Sequence, residues 1–153
     1  MDAERMMSTS RGKPQPVFLD TAYVYALINT RDEWHGRAAE WKQKIVEEER
    51  ALVTTELILI EIADGLAAVK FRQQALQVID ALRASPFINI IPASSELFHG
   101  ALELYRGRAD KDWGLTDCAS FVVMRERGLY DALTVDDHFR QAGFRALLLD
   151  APE

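Results

Sequence analysis

Four acidic side chains occupy positions in the sequence from which they could meet in one metal site. Asp20 and Asp136 each directly follow a short apolar run with the character of a buried strand. Glu61 interrupts an apolar helical stretch, and Asp117 lies in the first turn of another predicted helix. Because ligands of open α/β sheets bind beyond the carboxyl ends of the strands, acids placed there can converge on one crevice.

Each of these acids also has a purely structural explanation. Asp20 is well suited to cap a helix, and the helix dipole would stabilise Asp117 without any metal. Asp136 or its neighbour Asp137 is expected to cap the short helix that follows. Glu61 is more informative, because its helix is apolar nearly all round and is predicted to be buried. A carboxylate there needs a metal, a proton or an ion pair with an Arg or Lys that the sequence does not identify.

As a group, the four carboxylates favour a hard divalent cation. Four negative charges in one crevice repel each other unless a cation lies between them. The sequence has no zinc-like arrangement of Cys and His: it has one cysteine, and its three histidines are far apart. We interpret His35, His99 and His138 as surface or packing residues. Carboxylate and water ligands indicate Mg²⁺, with Mn²⁺ as the alternative.

The rest of the sequence predicts the elements that would position these acids. Apolar, β-rich runs predict strands at residues 16–19, 51–54, 87–91, 132–135 and 145–149. Helical spacing of apolar residues predicts helices at residues 21–28, 33–50, 71–84, 94–106, 116–127 and 138–142, and one from Thr54 or Thr55 to about residue 69. Alternating strands and helices favour an α/β fold, with a parallel sheet of about five strands covered by helices on both faces.

Composition limits the classes of protein that fit. A chain of 153 residues with 48% hydrophobic residues fits a single compact domain, expected at 16–153. The polar stretch at 1–15, with its Ser, Thr, Gly and Pro residues, predicts a flexible leader. The net charge of −6 argues against a protein held to nucleic acid mainly by a basic surface. One cysteine allows no intrachain disulfide, and no apolar run approaches the roughly 18–20 residues that cross a bilayer. A cytoplasmic protein is therefore expected.

Four stretches around the acids resemble the PIN-domain nuclease family, and within it the VapC-type toxins of toxin–antitoxin pairs. They are FLDT at 18–21, EIADGL at 61–66, KDWGLTDC at 111–118 and LTVDDHF at 133–139, the last followed by AGF at 142–144. Each stretch alone is a weak signal, but their order and separation make the likeness fairly specific. It extends from Val17 to about Leu149.

The resemblance implies a three-layer α/β/α fold and a Mg²⁺-dependent endoribonuclease that hydrolyses RNA phosphodiester bonds. Asp20 and Asp117 would be the primary metal ligands, and Glu61 and Asp136 would complete the acidic site. The resemblance also implies a cognate antitoxin as partner and a homodimer. One departure is Gly114, where relatives often carry a serine, which places local loop contacts in question and leaves the acidic residues unaffected.

Other residues near these acids have less specific interpretations. Arg106, Arg108 and Lys111 precede Asp117 and could contact RNA phosphates, although a solvated charged loop explains them at least as well. Asp112, in the same loop, is better explained as a solvated aspartate than as a further acid of the site. The threonines beside the acids, Thr21, Thr116 and Thr134, are interpreted as capping or strand residues that could also orient ligands.

Three other functions compete with this interpretation. A phosphatase with Asp20 as nucleophile would need a second aspartate two residues later, where the sequence has Ala22. A PIN-like scaffold without turnover is disfavoured because all four acids are present. A housekeeping RNA-processing nuclease of the same fold stays open, and a small antitoxin gene immediately upstream would favour the toxin instead.

Overall fold

The fold is built on five short strands that pair in one parallel sheet. The computed structural model describes residues 14–153, so nearly all of the predicted leader at 1–15 lies outside the described residues. The strands are β1 (Val17–Leu19), β2 (Leu52–Thr55), β3 (Ile88–Ile91), β4 (Asp131–Leu133) and β5 (Arg145–Ala146). Their order in the sheet is β3-β2-β1-β4-β5, and every neighbouring pair is parallel. The predicted α/β fold with a five-stranded parallel sheet is confirmed.

Seven α-helices connect and cover these strands in the described part of the chain. They are α1 (Thr21–Ile28), α2 (His35–Glu47), α3 (Glu56–Gly65), α4 (Arg72–Ala84), α5 (Ser95–Gly107), α6 (Leu115–Glu126) and α7 (Asp137–Gln141), with 3₁₀ turns at Val69–Phe71 and Leu147–Leu149. The chain moves from β1 toward β3 on one side and from β4 toward β5 on the other. Since parallel crossovers are right-handed, helices of the two halves cover opposite faces of the sheet.

The central strand β1 explains where a ligand site can form. Val17, Phe18 and Leu19 are 0–1% exposed, as expected for a strand covered on both faces. The strand order reverses at β1, which has β2 on one side and β4 on the other. In doubly wound sheets this reversal opens a crevice beyond the carboxyl ends of the strands. The residues that follow β1 and β4 therefore border the crevice.

Several predicted elements are shorter than the sequence indicated. Strand β5 stops at Ala146 rather than at residue 149, because Leu147–Leu149 form a 3₁₀ turn, and α2 spans His35–Glu47 rather than residues 33–50. Strand β4 stops at Leu133 rather than at residue 135. The backbone N–H of Thr134 bonds to the carbonyl of Ala132 at 3.0 Å, so it does not bond to a neighbouring strand. Helix α3 stops at Gly65 rather than near residue 69, since glycine is a poor helix former and commonly terminates helices. Thr55 caps the other end of α3, where its Oγ1 accepts from the Ile58 N–H at 3.1 Å.

Among residues 14–153, no helix combines the length and the apolar character that a membrane crossing requires.

Candidate metal centre

Asp20 is held in the crevice by a threonine that follows the neighbouring strand. The Thr134 hydroxyl donates to Asp20 Oδ2 at 2.7 Å, and the same hydroxyl accepts from the Asp136 N–H at 3.0 Å. Thr134 is fully buried. It therefore links the residue after β1 to the residues after β4. The early end of β4 makes this link possible, because it frees Thr134 from the strand ladder.

The Asp20 carboxyl group is buried, which is costly for an anion. Asp20 is 8% exposed and makes no side-chain capping bond to α1, so capping does not explain its presence. Desolvation by burial raises its pKa from 3.8 to about 7; hydrogen bonds from Thr134 and the Thr21 backbone oppose the rise, and the charges of Glu61 and Asp117 add to it. A cation beside this group would stabilise its ionised form.

Asp117, Asp136 and His138 come together at the amino ends of α6 and α7. One ligand atom from each residue lies within 4.8 Å of the others. His138 Nδ1 is 3.2 Å from Asp117 Oδ2 and 3.5 Å from Asp136 Oδ1. Ligands of one divalent ion, each about 2.0–2.6 Å from it, can be separated by no more than about 5 Å. This group therefore has the spacing and the donor chemistry to share an ion.

Backbone hydrogen bonds fix the two carboxylates of this group. Asp117 Oδ2 accepts from the Gly114 N–H at 3.0 Å, and Asp136 Oδ1 accepts from the His138 N–H at 2.9 Å. Asp136 thus caps α7 and also faces the group, so its structural and functional interpretations are compatible. Gly114 contributes a backbone N–H only, and a Cβ added there would lie 3.6 Å from Asp117 Oδ2, an ordinary contact. A serine would therefore fit this position.

Glu61 lies in a different environment from the one predicted. Helix α3 buries Ile58, Leu59 and Ile62, whereas Ile60 is 54% exposed and Glu61 is also exposed. The prediction of a helix buried all round is therefore wrong. The Glu61 carboxylate accepts from Thr21 Oγ1 at 2.6 Å and, within the described residues, forms no ion pair with Arg or Lys. Glu61 stands outside the group of three and acts on Asp20 through its charge.

Aromatic packing sets the distance between α6 and α7. The ring of Phe121, one turn after Asp117, packs edge-on against Phe139, which is adjacent to His138; the centroids are 5.0 Å apart. Both rings are completely buried. Phe139 also packs against Phe18 of β1 at 6.2 Å. These contacts hold the acids of three elements in a fixed arrangement.

The predicted phosphate contacts lie around a separate cavity of about 660 Å³. Arg106, Arg108 and Lys111 line it together with Tyr105, Asp112 and Trp113. Arg106 pairs with Glu103 at 3.3 Å, and Arg108 forms two 3.0 Å bonds to Asp110 while lying over the Trp113 ring. Asp112 is not part of the group with Asp117. The cavity is close to that group along the chain, because Trp113 precedes Gly114.

Sequence reasoning missed His138, which was interpreted as a surface or packing residue. The available signal was its place two residues after Asp136, at the start of a helix that follows a strand. That signal alone does not show that Asp117, 21 residues earlier, lies 3.2 Å away. Thr134 was noted as a possible orienting residue but assigned to the strand, and the structure shows it outside β4.

The PIN domain family model matches residues 17–145. The chain therefore belongs to the PIN domain family, whose nucleases use a divalent metal ion. The two carboxylates and one imidazole of the group, with buried Asp20 beside them, fit such an ion by their oxygen-rich donor chemistry.

Comparison with individual proteins shows similarity to an endonuclease of Mycobacterium tuberculosis. The chain is 28% identical over 132 residues to the 23S rRNA-specific endonuclease VapC20 of Mycobacterium tuberculosis, from strains CDC 1551 / Oshkosh and ATCC 25618 / H37Rv. Each alignment covers 84% of this chain and 95% of the relative. A crystal structure of M. tuberculosis VapC20, described as a sarcin–ricin loop cleaving toxin, has a similar fold, with a TM-score of 0.73 and 25% identity. That likeness covers 85% of this chain and 97% of the other.

Proposed function

We propose that this chain is a Mg²⁺-dependent endoribonuclease and the toxin of a type II toxin–antitoxin pair. The observation that carries the proposal is the convergence of Asp117, Asp136 and His138 within 4.8 Å, beside the buried Asp20, in a member of the PIN domain family. The likeness to VapC20 supports the toxin class. Hydrolysis of RNA phosphodiester bonds is the reaction that this site and this family favour together.

Asp20, Glu61, Asp117 and Asp136 are the proposed metal-site acids, with Mg²⁺ as the ion and Mn²⁺ as an alternative. When bound, the ion supplies positive charge to the phosphodiester and lowers the pKa of water for attack on phosphorus. The chain itself orients the carboxylates. Thr134 and the Gly114 N–H hold Asp20 and Asp117, and Thr21 holds Glu61. Fixed ligands lose little entropy when the ion binds, which favours affinity.

RNA contact is proposed for the cavity beside Asp117. Arg108 and Lys111 offer positive charge to phosphates, and Arg106 contributes once it leaves Glu103. Tyr105, 50% exposed, offers a surface on which an unpaired base can stack. Local positive charge of this kind is needed because the whole chain carries a net charge of −6. Since VapC20 is described as specific for 23S rRNA, a ribosomal RNA loop is the proposed substrate.

A protein partner is proposed for an apolar groove of about 860 Å³ on another part of the surface. Apolar side chains of α1, α2 and α4 line it, including Leu27, Val46 and Leu82, with charged residues at the rim. An apolar segment of the cognate antitoxin would bury this surface. A small antitoxin gene next to this gene is the expected genomic arrangement, and its absence would count against the pair.

A homodimer working in the cytoplasm completes the proposal. Ile60, Val69 and Leu76 are 54–91% exposed on α3, the following 3₁₀ turn and α4, and such apolar surface favours a protein contact. Sedimentation equilibrium should give twice the chain mass of 17.3 kDa, whereas a monomer at all concentrations would contradict the dimer. The cytoplasm follows from the substrate, because ribosomal RNA is cleaved where ribosomes are.

The experiment that tests the function compares RNA substrates. Intact ribosomes, isolated 23S rRNA and tRNA are incubated with the chain and Mg²⁺, and new 5′ ends are mapped by primer extension. The expected result is one or a few cuts in a large-subunit rRNA loop, with none for Asp117→Asn. Cuts confined to tRNA would reassign the substrate, and no cut in any RNA would contradict the nuclease and favour a binding scaffold.

A further inference from the structure

The three histidines of the chain differ in what they face. His35 Nδ1 lies 2.7 Å from the carbonyl of Ala26, and His99 Nδ1 lies 2.6 Å from the carbonyl of Ser95. Both rings are therefore engaged by backbone. His138 Nδ1 instead faces two carboxylates, Asp117 at 3.2 Å and Asp136 at 3.5 Å. This difference indicates a role for His138 that packing does not explain.

The surroundings of His138 separate its ring from the hydrophobic core. Its side chain is 29% exposed, and the neighbouring Phe139 supplies the buried anchor of α7. The backbone N–H of His138, not its ring, accounts for the capping bond to Asp136. The ring can therefore be replaced without removing the core packing of Phe139 or the capping bond of α7.

We propose that His138 is a ligand of the metal ion through Nδ1, together with Asp117 and Asp136. This rests on the proposed function only in requiring that a divalent ion binds there. As a ligand the ring would donate the Nδ1 lone pair to the ion, and the three donor atoms already lie within 4.8 Å of one another. Both ions favour oxygen ligands, but Mn²⁺ is softer than Mg²⁺ and accepts an imidazole nitrogen more readily. The site should therefore prefer Mn²⁺ over Mg²⁺ more strongly than a site made only of carboxylates does.

The test uses Mn²⁺ alone on the purified chain, without RNA. Pulsed EPR of bound Mn²⁺ should show ¹⁴N modulation from a directly coordinated imidazole nitrogen. The modulation should be lost in His138→Gln and kept in His35→Gln and His99→Gln, the matched controls. Continuous-wave EPR should show that His138→Gln weakens Mn²⁺ binding at least about tenfold, with a smaller loss for Mg²⁺ measured by competition.

The outcomes separate this inference from the proposed function. Bound Mn²⁺ without a nitrogen signal, or with a signal that survives in His138→Gln, would overturn the assignment of His138 and leave the carboxylate site standing. No binding of Mn²⁺ to the wild-type chain would overturn both. Circular dichroism of His138→Gln should match the wild type, and Asp117→Asn should also weaken Mn²⁺ binding if the nitrogen signal belongs to this group.

Discussion

Asp20 combines a structural cost with a functional position. A carboxyl group that is 8% exposed, with a pKa raised to about 7 by desolvation, destabilises the folded chain whenever it is ionised. Thr134 relieves part of this cost by donating a hydrogen bond. The remaining cost is typical of a site built to bind a cation, since clustered perturbed carboxylates are characteristic of functional sites.

Asp20→Asn should therefore stabilise the metal-free chain. Between pH 3.8 and about 7 the folded state keeps the Asp20 proton and the unfolded state loses it, so wild-type stability falls as pH rises through this window. The free energy of unfolding of Asp20→Asn should therefore exceed that of the wild type by an amount that grows across this pH window. The difference should level off above it, at on the order of 4 kcal/mol at pH 8. Urea denaturation in EDTA at pH 5 and pH 8 measures it, with Asp80→Asn on the exposed part of α4 as control. Equal stability of wild type and Asp20→Asn at pH 8 would contradict the burial described here.

At this scale the sequence identified most of the candidate residues but not their surroundings. Asp20, Asp117 and Asp136 were noted because each stands where a strand ends or a helix begins, a local signal. His138 depends on contact with a residue on another helix, which no local pattern contains. Glu61 is a candidate in the sequence because the apolar run around it predicts a buried helix. The structure does not show this burial, since the run includes Ile60, which is exposed.

Helices α1 and α3 are tied together near Glu61 by two side chains of α1. Thr21 donates to the Glu61 carboxylate, and the Tyr25 hydroxyl donates to the carbonyls of Glu61 and Ile62 at 3.0 and 3.2 Å. Gly65 leaves room for this ring, because a Cβ there would stand 1.8 Å from the Tyr25 oxygen. The glycine at the end of α3 thus has a packing role as well as a terminating one.

Gly65→Ala should destabilise the chain, although alanine is the better helix former by about 1 kcal/mol. The added methyl group displaces Tyr25 and breaks its hydrogen bonds, which should lower the free energy of unfolding by about 1–2 kcal/mol in total. In a Tyr25→Ala background the same substitution should become stabilising, because the clash is gone. Urea denaturation of the four proteins in this double-mutant cycle measures the coupling. Stabilisation by Gly65→Ala in both backgrounds would show that Tyr25 does not occupy this position.

Elements were easier to predict than their ends. The spacing of apolar residues predicted all five strands and seven helices, because a buried strand and an amphipathic helix each have a characteristic apolar pattern. Strand β4 ends where the Thr134 N–H bonds to the Ala132 carbonyl, which frees the Thr134 hydroxyl for Asp20, and α3 ends at Gly65, beside the Tyr25 ring. The contacts that accompany these ends join elements distant in sequence, so they appear only in the folded chain.

The whole molecule joins an acidic site, a basic cavity and an apolar groove on one α/β sheet. Reversal of strand order at β1 brings together acids that are far apart in the sequence. The alternation of strands and helices predicted the parallel sheet and the placement of Asp20 and Asp136 at strand ends, but not the order of the strands. The cavity and the groove could not be predicted, because their shapes depend on how side chains pack in the folded chain: those of α5 and the following loop for the cavity, and those of several elements for the groove.

The most direct test of the account is the metal dependence of RNA cleavage. A labelled RNA that the chain cuts is incubated with EDTA, then with increasing Mg²⁺, using wild type, Asp117→Asn and the control Asp80→Asn. We predict no cleavage in EDTA, recovery with Mg²⁺ for wild type and Asp80→Asn, and a loss of at least about 100-fold for Asp117→Asn. Cleavage that persists in EDTA, or full activity of Asp117→Asn, would contradict a metal-dependent nuclease at this site.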